Sequence, residues 1–66
     1  MTNEELIFQI DQMISEIRAL GRNEQADIFV EWRNDGMNRM RSHPNEPLLV
    51  DCHAKLTEYT ARLRKR

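Results

Sequence analysis

Thr2-Asn3-Glu4-Glu5-Leu6-Ile7-Phe8-Gln9-Ile10-Asp11-Gln12-Met13-Ile14-Ser15-Glu16-Ile17-Arg18-Ala19-Leu20-Gly21 is the stretch that decides the fold. Leu6, Ile10, Met13, Ile17 and Leu20 recur at spacings of 4, 3, 4 and 3, a heptad seam along one side of a helix. Ile7 and Ile14 lie beside the seam and widen its apolar stripe. Thr2-Asn3-Glu4-Glu5 reads as a capping box, with the Thr2 hydroxyl accepting from the Glu5 amide and Glu5 reaching back to the cap. Gly21 follows the last seam residue and suits the left-handed position that closes a helix. The pattern predicts a helix over about 3–20.

The far end carries the same signature. Asn45-Glu46-Pro47 opens it, with Pro47 suited to a first helical turn. Leu49, Cys52, Leu56, Tyr59 and Leu63 then recur at 3, 4, 3 and 4, and the basic run Arg62, Arg64, Lys65 and Arg66 complements the negative end of a helix dipole. This predicts a helix over about 47–64.

Between the two, Asn23 is placed to cap a helix over about 24–41. One of its stripes is Ala26, Val30, Met37 and Met40, with Phe29 beside it and Arg33 interrupting; a second is Ile28 and Trp32, with Gly36 one turn on. Asn34-Asp35-Gly36 is a turn signal that would break the helix. Continuity is the better reading, because the stripe resumes in phase at Met37 and Met40. A Gly below Trp32 leaves space for the indole, offsetting its helix cost of roughly 1 kcal/mol. Ser42-His43-Pro44-Asn45 is the second connection. No stretch alternates with the period of a strand. The expectation is an all-α, antiparallel bundle or hairpin of two to three helices in one domain, residues 1–66.

At 66 residues and 7.9 kDa the chain is marginal as a lone unit. Folds below about 70–80 residues usually need a staple, and neither a disulfide nor a metal supplies one here. Two seams plus a central segment with two apolar faces exceed the needs of one small bundle, so a homodimer is expected. A lone Cys52 and an acidic start, Met1-Thr2-Asn3-Glu4-Glu5, without a signal-peptide core point to the cytoplasm. No apolar run approaches the ~20 residues of a membrane span.

Chemistry is sparse. His43, Cys52 and His53 are the only soft metal ligands, and the adjacent Cys52 and His53 diverge by ~100° on a helix. Ser15, Ser42 and Cys52 sit in nothing resembling a nucleophile elbow, and Gly21 and Gly36 stand alone rather than in a phosphate loop. The chain is read as no enzyme, with no cofactor and no metal.

Charge is more informative. Residues 1–35 hold eight acids and three bases, whereas residues 36–66 hold three acids and seven bases. The overall balance is −1, which argues against non-specific nucleic-acid binding. Glu24, Asp27, Glu31 and Asp35, spaced 3, 4 and 4, line one face of the middle helix over roughly 16 Å. Such a ridge suits a basic partner, although a merely solvated face has the same pattern. Phe8 falls opposite the first seam among Glu4, Asp11, Ser15 and Arg18, where an aromatic suits an interface anchor unless a neighbouring helix covers it. Phe8, Asp11, Glu24, Asp27, Glu31 and Asp35 are therefore the candidate partner-binding residues. The alternative is a small helical DNA-binding transcriptional regulator using Arg33, Asn38, Arg39 and Arg41. A plain oligomerisation module is a third reading.

The run Ala19-Leu20-Gly21-Arg22-Asn23-Glu24-Gln25-Ala26-Asp27, between a heptad helix and an acidic one, resembles the small anti-activators of quorum sensing encoded by Pseudomonas phages. The similarity covers chain length and helical layout, with no motif that transfers contact residues. It implies an all-helical homodimer in the host cytoplasm. It also implies an inhibitor of the DNA-binding domain of a LuxR-type quorum-sensing activator and of the pilus assembly ATPase.

Overall fold

The computed structural model describes residues 2–43 and 47–65, which form three helices: α1 (Asn3–Ala19), α2 (Asn23–Ser42) and α3 (Leu48–Arg64). Among the described residues there is no strand. Each helix packs on both others, giving an all-helical bundle 38 Å long and 22 by 15 Å across.

The first helix forms as its termini dictate. Thr2 is its N-cap, and its Oγ1 accepts from the Glu5 amide at 3.2 Å; this is half of the expected capping box, since among the described residues the Thr2 amide does not donate back to the Glu5 carboxylate. At the other end Gly21 has φ +82°. Its N–H donates to Arg18 at 3.0 Å, and the Arg22 N–H donates to Ile17 at 3.2 Å. This pair of bonds is the Schellman closure, and glycine supplies the left-handed residue it requires. Leu20 is the C-cap and is exposed, so the seam ends at Ile17 rather than Leu20. The buried line is Leu6, Ile10, Ile14 and Ile17, with Met13 half-buried. Ile14 displaces Met13 because α1 must face two helices, and a strict heptad seam is too narrow for that.

Helix α2 starts one residue earlier than expected. Asn23 is inside the helix, and the N-cap is Arg22, whose carbonyl accepts from Ala26 at 3.0 Å without any side-chain cap. The Schellman turn leaves only two residues between Leu20 and the new helix, which pulls its start onto Arg22. The helix then runs unbroken through Asn34-Asp35-Gly36, as the phase of Met37 and Met40 implied.

Gly36 serves a different neighbour from the one expected. A Cβ there would lie 2.9 Å from Leu49 Cδ2 and 3.1 Å from Leu49 Cγ. The missing side chain admits Leu49 of α3, not the indole. Trp32 instead stacks on Phe29, with ring centroids 6.2 Å apart and planes 8° from parallel. Ala26, Phe29 and Gly36 are the buried residues of α2.

Pro47 is the N-cap of α3 rather than its first residue, and its carbonyl accepts from Asp51 at 2.8 Å. Asn45 and Glu46, read as part of that start, lie outside the described residues. Leu49, Cys52, Leu56 and Thr60 are buried, while Tyr59 and Leu63 pack at the margin. Buried Thr60 spends its hydroxyl on the Leu56 carbonyl at 2.9 Å, which satisfies a polar group in the core. Arg18–Asp27 and Arg33–Asp11 contacts show α1 and α2 antiparallel. Gly36–Leu49 and Phe29–Tyr59 contacts show the same for α2 and α3.

Candidate protein-interaction surface

The six candidate residues fall into two groups. Phe8 is 62% exposed on the outer side of α1, so no neighbouring helix covers it. Glu24, Glu31 and Asp35 are exposed along the outer side of the continuous α2, where the 3.6-residue period lines them up. Asp11 and Asp27 are exposed too, but each has a partner within the chain.

Asp11 holds Arg33. The Arg33 Nε lies 2.5 Å from Asp11 Oδ1, a charge contact rather than an aligned hydrogen bond. Nη2 donates to Asp11 Oδ2 at 3.2 Å, and Nη1 donates to Asn34 at 3.1 Å. Arg33 does not interrupt the stripe of α2. It occupies the buried line between Phe29 and Gly36 with its stem inward and its head at the α1–α2 seam, as long basic side chains allow. Its guanidinium is committed, which removes it from the arginines that would read DNA. Asn38, Arg39 and Arg41 remain exposed. Asp27 accepts from Arg18 at 3.3 Å, an exposed pair of the kind worth at most ~1 kcal/mol. The freely projecting part of the ridge is therefore Glu24, Glu31 and Asp35, with Phe8 level with the C-terminal half of α2.

A second surface lies between α2 and α3, on the side away from α1. Ile28, 55% exposed, and Trp32 form one wall of a groove, Tyr59 the other, and Phe29 its floor. Ile28 and Trp32 were visible in the sequence as a second apolar stripe. Their opposite wall was not, because Tyr59 read as part of the α3 seam. Lys55, Glu58 and Arg62 rim the groove.

Cys52 and His53 are occupied with structure, whereas Ser15, Ser42 and His43 are exposed. Cys52 is buried, and burial pushes its thiol up to about 11, against the opposing charge of Arg33. Such a thiol is protonated and unreactive at neutral pH. His53 Nε2 lies 2.7 Å from Gln9 Oε1, bridging α3 to α1. Arg64 donates to both oxygens of Glu16, at 3.0 and 2.8 Å. That hydrogen bonding lowers the Glu16 carboxyl below its ordinary range and raises Arg64. Arg64 of the basic C-terminal run thus ties α3 back to α1, while Arg62 pairs with Glu58 on its own helix and Arg66 lies outside the described residues. Among the described residues no three His, Cys, Asp or Glu side chains group as a metal set. No helix of the described residues is long and apolar enough to cross a membrane.

Comparison of the chain with protein-family models, with curated proteins and with solved structures gives no match.

Proposed function

We propose that this protein is a non-catalytic inhibitor that docks on a host regulatory protein. Phe8 is the observation that carries the reading: a large aromatic left 62% in solvent by a chain that buries its other phenylalanine. An exposed aromatic with a charged surround has the make-up of an interface anchor with a polar rim. Glu24, Glu31 and Asp35 would steer a basic partner surface and set its register, with Phe8 supplying affinity. The resemblance of Ala19–Asp27 to phage anti-activators supports a specific partner, the DNA-binding domain of a LuxR-type activator, with the pilus assembly ATPase as a second. A DNA-binding domain offers the basic surface that the acids require. The protein acts in the host cytoplasm as a self-associated pair.

Titration calorimetry of a purified LuxR-type DNA-binding domain tests this, with wild type, Phe8→Ser and the double variant Glu31→Lys/Asp35→Lys. Wild type binds, and each variant loses at least about tenfold in affinity, or 1.4 kcal/mol, with helicity unchanged. No binding by wild type, or equal binding by the double variant, refutes the proposal. Duplex DNA as titrant examines the transcriptional-regulator alternative, which requires steeply salt-dependent binding.

A further inference from the structure

The outer edge of α3 carries Asp51, Lys55, Glu58 and Arg62, all exposed. Their signs run minus, plus, minus, plus, at spacings of 4, 3 and 4. That order is its own complement when reversed. A second α3 laid antiparallel on the first brings Asp51 to Arg62 and Lys55 to Glu58, at both symmetry-related positions. Within one chain Glu58 already takes Arg62 at 2.7 Å and Lys55 at 3.9 Å, so these three side chains lie along this edge.

The apolar part of the same face obeys the same symmetry. Gly36 meets Leu49 and Phe29 meets Tyr59, which sets Ile28 about level with Glu58 and Trp32 about level with Lys55. The midpoint of Lys55 and Glu58 is therefore level with the midpoint of Ile28 and Trp32. A two-fold axis crossing the groove at that level places Ile28 of one copy against Trp32 of the other. The groove holds about 220 Å³, below the ~300 Å³ of small-molecule sites and suited to an aliphatic side chain.

From this geometry we propose that the α2–α3 face is the contact between two copies of the chain, paired antiparallel about an axis across the groove. Ile28 seats against Trp32, and Asp51–Arg62 and Lys55–Glu58 pair between copies. The inference rests on the self-association proposed above and specifies its surface; docking on a foreign partner does not depend on it. The other possible two-fold, running along the groove, would lay Ile28 and Trp32 of one copy over Lys55 and Glu58 of the other. That would desolvate charges under apolar side chains at a cost. The pairing leaves Phe8 and Glu31 outside the contact, whereas Asp35, seven residues from Ile28 on the same line of α2, borders it.

Sedimentation equilibrium of the full chain tests it. Wild type is expected at 15.8 kDa, twice 7.9 kDa, at about 100 µM. Ile28→Glu, a change at an exposed helical position, should give a 7.9 kDa species with unchanged circular dichroism. Lys55→Glu alone and Glu58→Lys alone should each raise the dimer dissociation constant about tenfold, because each acts twice in a symmetric pair. Lys55→Glu/Glu58→Lys together should return it to within about threefold of wild type, since opposite charges again face each other. A monomeric wild type overturns both self-association and this surface. A dimer indifferent to Ile28→Glu, or one that the double charge exchange fails to rescue, overturns the surface alone.

Discussion

Cys52 and Arg33 show how one position acquires its character from its neighbours. Cys52 stands at a seam position of α3 with no exposed surface, beneath Arg33. Burial favours the neutral thiol, so its value rises from 9.0 to about 11 in the folded chain. The unfolded thiol ionises first, so Cys52 leaves stability unchanged below pH 9 and lowers it as pH rises from 9 to 11. Alkylation by iodoacetamide at pH 8 should run about 100-fold slower in the native protein than in urea, following the thiolate fraction. Equal rates would mean that Cys52 is open to solvent. The sequence marked Cys52 correctly as a seam residue, because heptad spacing is local. It misjudged Arg33, because a basic residue at an inward position looks like an interruption until Asp11 of another helix is brought beside it.

Helices α1 and α3 were legible because their apolar periods run the full length and their ends carry chemistry, Thr2 and Gly21 above all. The start of α2 was not, since it is set by the Schellman turn of α1 rather than by a cap of its own. The pairs Arg18–Asp27 and Glu16–Arg64 were illegible for the same reason as Arg33–Asp11: only the packing of α1 against α2 and α3 creates them. The phase across Asn34-Asp35-Gly36 did reveal the continuity of α2, but the reason for Gly36 lies on α3. Gly36→Ala gains roughly 1 kcal/mol of helix propensity. It also drives a methyl against Leu49, which is 5% exposed and has little room to give. Overpacking costs of about 1–3 kcal/mol then dominate, for a net loss of about 1 kcal/mol in urea denaturation. In a Leu49→Ala background the same change should stabilise the protein. A Gly36→Ala gain in the wild-type background would show that α2 and α3 are not held this closely.

For the molecule as a whole, the interior and the outer surfaces divide the work. The core is mainly aliphatic and cross-helix polar contacts tie the helices together, leaving Phe8, Glu24, Glu31, Asp35 and the α2–α3 groove as surfaces without an internal purpose. The line of acids on α2 was readable from the sequence, because it follows from period alone; for Phe8 the period left open whether a neighbouring helix covers it, and only the packing shows it exposed. The groove was half readable: Ile28 and Trp32 stood out, but the reversing charges of α3 gain meaning only beside them. If the protein docks as proposed, it should compete with whatever else uses the partner's basic surface. The most direct measurement is fluorescence anisotropy of a labelled operator duplex held by a LuxR-type DNA-binding domain, titrated with this protein. Wild type should release the duplex fully, and the Glu31→Lys/Asp35→Lys variant should not at the same concentrations. A duplex that stays bound at saturating wild type, or one that the variant releases equally well, would contradict a docking role for the Phe8 and acidic surface.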